Sequence, residues 1–211
     1  AYAGASADRV SRQAEALKSL VSHSLDALMP LVKAANAQSL VRRDGILIVY
    51  RREASWQSDA RAWEIRRRNG IKWDDLNVDE LRQFDPSLAR DLIRAKYVPG
   101  NGHTVDPHGL VTALADAFVA DGGRLARARA TGFDIDNGRL RAVHTSGESI
   151  PADSAVIATG AHSKPLAAMV GDRVLLETER GYHLMVTNAD AMPRVPTTDA
   201  EFSFVATPLA A

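Results

Sequence analysis

A mixed α/β (α+β) fold is what this sequence predicts, and three observations predict it. Apolar residues recur at three- and four-residue spacing in several separate stretches, as amphipathic helices require. The pair Asn137-Gly138 stands between alternating apolar runs, the signal of an antiparallel hairpin. After it, residues 154–159 form a nearly all-apolar run ended by Gly160, the pattern of a strand covered on both faces of an α/β sheet.

The chain's 211 residues, 45% of them hydrophobic, suffice for one large or two small domains with a buried core. Twenty-six basic residues balance 26 acidic ones, so no broad electrostatic field selects nucleic acid, which is excluded as a partner. The absence of cysteine removes disulfides, thiol catalysis and thiolate metal sites, and fits a reducing compartment. No apolar run approaches the roughly 20 residues of a membrane-spanning helix. The opening AYAGASAD has neither the charged start nor the apolar core of a signal peptide.

In chain order, residues 6–29 predict one amphipathic helix with Val10, Ala14, Leu17, Val21, Leu25 and Leu28 on its core-packing face, ended or kinked by Pro30. Residues 45–50, GILIVY, predict a strand after the turn Arg42-Arg43-Asp44. Residues 55–69 predict a helix with Trp56, Ala60, Trp63 and Arg67 along one side and Gly70 as its stop. The triplet Arg66-Arg67-Arg68 reads as a solvated cap complementing the helix dipole rather than as an anion patch. Asn77-Val78-Asp79-Glu80 predicts a capping box, and Asp85-Pro86 the end of the short helix it opens. The glycine-rich stretch 96–107, KYVPGNGHTVDP, is a candidate wall of a functional site, with His103 its most reactive member. Asp106 and Pro107 then open a helix carrying Leu110, Leu114, Ala117 and Phe118 on one face.

From Leu125 to Gly160 the pattern is β-rich, with a meander through Phe133, Ile135, Leu140 and Val143 before the apolar run 154–159. Lys164-Pro165 fits the first turn of a short helix and Gly171 its stop. A tight turn of small residues between strand and helix, as at Thr159-Gly160, lets a ligand approach the backbone. Residues 174–187 predict a further strand, on which Tyr182 and His183 point to opposite faces and Glu177 and Glu179 to one face as exposed charges. Residues 202–205, FSFV, predict a last strand. No H-E-x-x-H, P-loop, G-x-S-x-G or metal-spaced histidine pair is present, so no catalytic or metal-ligating residue is assigned. Gly100-Asn101-Gly102 does not continue as G-x-G-x-x-G.

The ordered pair VIATGAHSKPLA and LETERGYHLMV resembles the FAD-dependent D-amino acid oxidase superfamily, most closely its bacterial D-amino acid dehydrogenase branch. The resemblance implies FAD as cofactor and oxidation of a D-amino acid or related amine by hydride transfer to FAD, the imine hydrolysing to a 2-oxo acid and ammonia. It implies a domain order of 1–100 in the substrate domain, 101–172 in the FAD-binding domain and 173–211 back in the substrate-domain sheet. It places Ala130 or Thr131 at the adenine through the backbone, and Thr159, Gly160 and His162 at the adenosine and pyrophosphate. Gly181 falls under the isoalloxazine, and Tyr182, His183 and His103 toward substrate.

Neither the family's Gly-rich dinucleotide fingerprint nor its carboxylate-clamping arginine is identifiable, so the chain is expected to be an internal piece of a longer enzyme that binds FAD weakly alone. Partners implied are an amino acid or amine, a quinone or electron carrier, and a second copy of the chain through unpaired strand edges. Cytoplasm and the inner membrane face, as a peripheral protein of amino acid catabolism, both stay open. So does a different reading, a non-catalytic α/β binding module that kept the scaffold and lost the fingerprint.

Overall fold

The computed structural model describes residues 6–209; the two ends read above, 1–5 and 210–211, lie outside them. Two compact units emerge: residues up to Gly123 together with those from Val186 onward, and Arg124–Met185 inserted between.

In the larger unit, Ser6 caps helix α1 (Ala7–Val21) by accepting from the Arg9 N–H at 3.3 Å. The helix breaks at Ser22-His23, and α2 (Ser24–Ala34) follows with Pro30 inside it. The expected single helix ended by Pro30 is therefore corrected. Val32 is fully buried with Ala37 and Leu110, and Leu28 and Met29 pack against them. Burial of the turns around Pro30 outweighs the proline penalty, and the break falls in the polar Ser22-His23-Ser24 stretch. The stripe expected to pack a core through α1 is exposed at Leu17 and Val21.

Strand β1 (Val41–Arg42) leads to β2 (Ile46–Tyr50), the predicted apolar strand. Gly45 permits the tight entry: at φ +82°, a Cβ there would lie 2.5 Å from Tyr97 Cε2 and 2.8 Å from the Val98 carbonyl. Helices α3 (Glu53–Ser58) and α4 (Ala60–Arg68) replace the single predicted helix. Asp59, at the junction, accepts a 2.9 Å hydrogen bond from the Tyr50 hydroxyl. Gly70 ends α4 at φ +88°, as expected of a left-handed C-terminal stop. Arg67 and Arg68 each bond Glu64 at 2.8 Å, which draws the Glu64 carboxyl below its ordinary range and accounts for two cations of the triplet.

Strand β3 (Asp74–Leu76) precedes α5 (Val78–Phe84), whose Asn77/Glu80 capping box is formed on both sides. Strands β4 (Arg94–Val98) and β5 (His103–Thr104) and helix α6 (Pro107–Ala120) complete the first part, with Asp106 accepting from the Gly109 N–H at 2.8 Å. Strand β5 pairs with β1, Arg42 opposite His103.

The smaller unit holds β6 (Ala130–Asp136), β7 (Arg139–Thr145) and β8 (Ser149–Pro151) as a three-stranded antiparallel meander. Its first turn has Asn137 at φ 50° and Gly138 at φ 76°, the left-handed pair a two-residue hairpin needs. A 3₁₀ turn at Gly160–His162 leads into α7 (Ser163–Met169), where Leu166 and Ala167 are buried. Three strand expectations fail in or at the edge of this unit. Residues 125–129, 154–159 and 174–187 have no strand structure, and Val156 is 91% exposed. An apolar run becomes a strand only beside another strand that takes its N–H and C=O groups. Among the described residues, none of the three has such a neighbour.

The chain re-enters the larger unit as β9 (Thr197–Asp199) and β10 (Phe204–Ala206), the latter two residues beyond the predicted start at Phe202. The five-stranded order is β10-β9-β2-β4-β3, with β9 parallel to β2 and the other pairs antiparallel. Leu47, Val49 and Ala95 face a core with Leu81, Leu92 and Val195. Three buried carboxylates fasten the returning segment. Asp85 accepts from the Arg194 N–H at 2.8 Å, Glu201 from the Arg51 and Arg52 N–H groups at 3.1 Å, and Asp199 from Arg51 Nη1 at 2.6 Å.

Candidate functional site

Eight of the nine predicted site residues fall in the smaller unit: Ala130, Thr131, Thr159, Gly160 and His162 in or beside regular or turn structure, and Gly181, Tyr182 and His183 in an irregular segment. Ala130 opens β6 opposite Thr145, and the ladder is irregular between Ala130 and Gly132, which leaves Thr131 exposed. The neighbouring Arg129 N–H donates to Ser146 Oγ at 3.3 Å, while the Ser146 N–H donates to the Arg129 carbonyl at 2.8 Å.

Gly160 takes φ +54° with no atom within 4 Å of where a Cβ would stand, so its backbone is open to approach. Beside it, the His162 N–H donates to the Thr159 carbonyl at 3.1 Å, and the Thr159 and Ser163 hydroxyls lie 3.1 Å apart. Helix α7 continues directly from this turn and packs on β6, which brings the 159–162 turn and the start of the meander into one small body. Gly181 likewise has open space around it. Tyr182, 89% exposed, and His183 stand in an irregular segment and not on a strand, so the expected alternation of their side chains across a sheet is corrected. The nearest anchor on that segment is the ion pair of Glu177 with Lys164 of α7, at 3.0 Å.

His103 belongs to the larger unit, and there the structure departs from a surface-loop histidine. Its side chain is 9% exposed, with Nδ1 3.3 Å from Asp44 Oδ1. Neither ring nitrogen nor that carboxylate oxygen has a hydrogen-bond partner among the described residues. The loop before it is tied back by the Gly45 N–H donating to the Asn101 carbonyl at 3.0 Å. Asp44 was read from the sequence only as part of a turn; its sole signal was a carboxylate next to Gly45.

Sequence reading also missed the aromatic face of the larger sheet. Tyr50 donates to Asp59 and accepts from Trp63 Nε1 at 2.9 Å, and Trp56 stands edge-on to it at 5.2 Å. Burial, reinforced by the Asp59 carboxylate and opposed by the Trp63 N–H, pushes the Tyr50 phenol well above its ordinary range. Two cavities of about 210 and 450 Å³ also lie in this unit. The first, beside Arg51, Ser87, Leu92 and Asp199, is mostly apolar; the second lies between Gly70-Ile71-Lys72 and residues 98–101. Neither is lined by any of the predicted site residues.

The pattern of the FAD dependent oxidoreductase family (DAO) matches residues 2–210. The chain belongs to the FAD dependent oxidoreductase family. A D-amino-acid oxidase of Bradyrhizobium diazoefficiens is 37% identical over 186 residues, 88% of this chain and 44% of that protein. A D-amino acid dehydrogenase of Phenylobacterium zucineum is 28% identical over 178 residues, 81% of this chain and 41% of that one. Among solved structures, the glycine oxidase of Geobacillus kaustophilus superposes with a TM-score of 0.60 at 28% identity, covering 72% of this chain and 43% of the other. The chain thus spans less than half the length of these relatives.

FAD is the cofactor of this family. Tested against that group, the described residues offer an open approach surface at Gly160 and Gly181, where no side chain stands in the way. They do not close a cradle: Thr131, Thr159, His162 and Tyr182 are all exposed, and no buried polar atom is left without a partner in this unit. The described residues thus leave two open backbone positions and no enclosed site.

Among the described residues, no helix is long and apolar enough to cross a membrane.

Proposed function

We propose that this chain is part of an enzyme that oxidises D-amino acids or related amines, with FAD as the electron acceptor. The observation that carries this reading is the family match across residues 2–210, joined to 37% identity with a D-amino-acid oxidase. In the proposed reaction a hydride leaves the substrate α-carbon for FAD, and water then converts the imine to a 2-oxo acid and ammonia. FAD supplies the two-electron chemistry, and the protein orients the substrate.

In this reading residues 1–100 and 173–211 serve the substrate domain and 101–172 the FAD-binding domain. The backbone at Ala130 or Thr131 meets the adenine, and Thr159, Gly160 and His162 meet the adenosine and pyrophosphate. Gly181 passes under the flavin ring, and Tyr182, His183 and His103 border the substrate. Support for the glycine roles comes from the open space at both Gly160 and Gly181, where a larger residue would obstruct a planar ring or a phosphate. A quinone or electron carrier takes the electrons onward, and the enzyme works in the cytoplasm or at the inner membrane face in amino acid catabolism. The chain by itself is inactive.

The experiment is to incubate the protein that carries this chain, loaded with FAD, with panels of D- and L-amino acids and to measure ammonia and 2-oxo acid. Product formed from D-amino acids or simple amines supports the proposal. A protein that holds FAD but makes no product from either panel overturns it in favour of a binding module.

A further inference from the structure

All three tryptophans of the chain turn toward one ammonium group. Lys96 lies in β4, in register with Ile48 of β2 on one side and Asp75 of β3 on the other. Its side chain is 7% exposed. Nζ stands 3.8 Å from the centre of the Trp56 ring, 5.1 Å from Trp73 and 5.2 Å from Trp63, and it donates to Asp75 Oδ1 at 2.5 Å.

The environment is more elaborate than a buried lysine needs for pairing alone. An ammonium carries three N–H donors, and removing it from water is costly unless each finds a partner. Asp75 takes one, and the negative faces of three indoles surround the rest. The cage is braced from outside. Trp63 Nε1 is held by Tyr50, Trp56 stands edge-on to Tyr50, and Trp73 Nε1 donates to Asp75 Oδ1 at 2.8 Å. Two further cations approach the outer rings, Arg66 at 4.5 Å from Trp63 and Arg94 at 5.2 Å from Trp56. Arg94 is paired with Glu53 at 2.9 Å, whereas Glu64 on the Arg66 helix is taken by Arg67 and Arg68. Lys96 alone enters the cage. Asp75 is 55% exposed, so the carboxylate end of the cage opens to solvent.

We propose that this is an ammonium-binding site that the chain keeps filled with its own lysine, and that its ligand class is the primary n-alkylammonium ion. Lys96 is the tethered occupant, and the cage fixes β3 and β4 against α3 and α4 through it. Cutting the tether at Cβ leaves a hole with the shape and charge preference of n-propylammonium, reachable from the Asp75 side.

The test is thermal unfolding of the protein carrying Lys96→Ala, with n-propylammonium chloride titrated against sodium chloride, n-propanol and propionate. The expected result is a lowered Tm that the amine alone restores, saturably and by more than half of the loss, while the unsubstituted protein does not respond. If the variant is unfolded at the start, the same amine is expected to recover its folded circular dichroism signal. Equal response to propanol and propylammonium, or none to either, overturns the proposal. Lys96→Met, which keeps the volume without the charge, provides a second reading: it is expected to melt below the unsubstituted protein and to ignore the amine. Wild-type stability in that variant would make the three indoles ordinary apolar packing and end the argument.

Discussion

Replacing Asp199 by alanine tests how the chain, after leaving for the inserted unit, is fastened on its return. The Asp199 carboxylate is 3% exposed. Its Oδ1 accepts from the Glu201 and Phe202 N–H groups at 3.0 and 2.9 Å, and its Oδ2 accepts from Arg51 Nη1 at 2.6 Å. Breaking a buried ion pair from one side costs about 3–5 kcal/mol. Arg51 keeps Asp91 at 2.9 Å and the Phe202 ring at 5.2 Å, which places its share at the low end. The two freed N–H groups, of Glu201 and Phe202, are only part-buried, so water can replace their partner and they add little. The expected loss is about 3 kcal/mol.

Asp199→Asn keeps the Oδ1 acceptor for the turn but loses the charge opposite Arg51, so its loss falls near half of that. Urea unfolding followed by tryptophan emission is the suitable assay, since Trp56, Trp63 and Trp73 all lie in the larger unit. An Asp199→Ala midpoint equivalent to less than about 1 kcal/mol of destabilisation, at unchanged m, would refute the view that this pair anchors β9 beside β2.

Other outcomes are expected. Leu81→Ala, at a position with no exposed surface in the core against Leu47 and Val195, costs about 2–5 kcal/mol in the same assay. Asn77→Ala removes a complete capping box and costs about 1 kcal/mol, a difference visible in the urea midpoint. The raised Tyr50 phenol gives stability that is fully present below the unfolded tyrosine value of about 10. Above it only the unfolded chain sheds the proton, so urea midpoints should fall as the pH rises past that value, and less steeply in Tyr50→Phe. The isolated chain should self-associate through β10, an edge strand with Phe204 and Val205 exposed and no charge between Phe202 and Leu209; light scattering showing monomers at high concentration would count against this.

Local chemistry was legible wherever its partner lies within a few residues. The Asp106-Pro107 and Asn77/Glu80 helix starts, the Gly70 stop and the Asn137-Gly138 hairpin are each decided by backbone groups three or four positions away, and each stands where the pattern placed it. The strand at Ile46–Tyr50 was also readable, because an unbroken apolar run of that length suits a strand paired on both sides, here by β4 and β9.

What failed depended on distant neighbours. Residues 154–159 and 174–187 have the composition of strands, yet composition cannot supply the adjacent strand that would pair them. Pro30 stayed inside a helix because Val32 and Leu110, 78 positions apart, meet in one core, a contact no local pattern encodes. The same holds for the convergence of Trp56, Trp63 and Trp73 on Lys96, and for the burial of His103 against Asp44. Of the predicted site, the openness of the backbone at Gly160 and Gly181 followed from residue type, while the positions of Tyr182 and His183 required a sheet the described residues do not form.

The most direct test of the account is an anaerobic titration of the FAD-loaded protein containing this chain with D-amino acids, followed by the visible absorption of the oxidised flavin. The account predicts that at least one D-amino acid or simple amine bleaches that absorption stoichiometrically. A flavin spectrum unchanged by every D-amino acid and amine tested, in protein that dithionite still reduces, would contradict it.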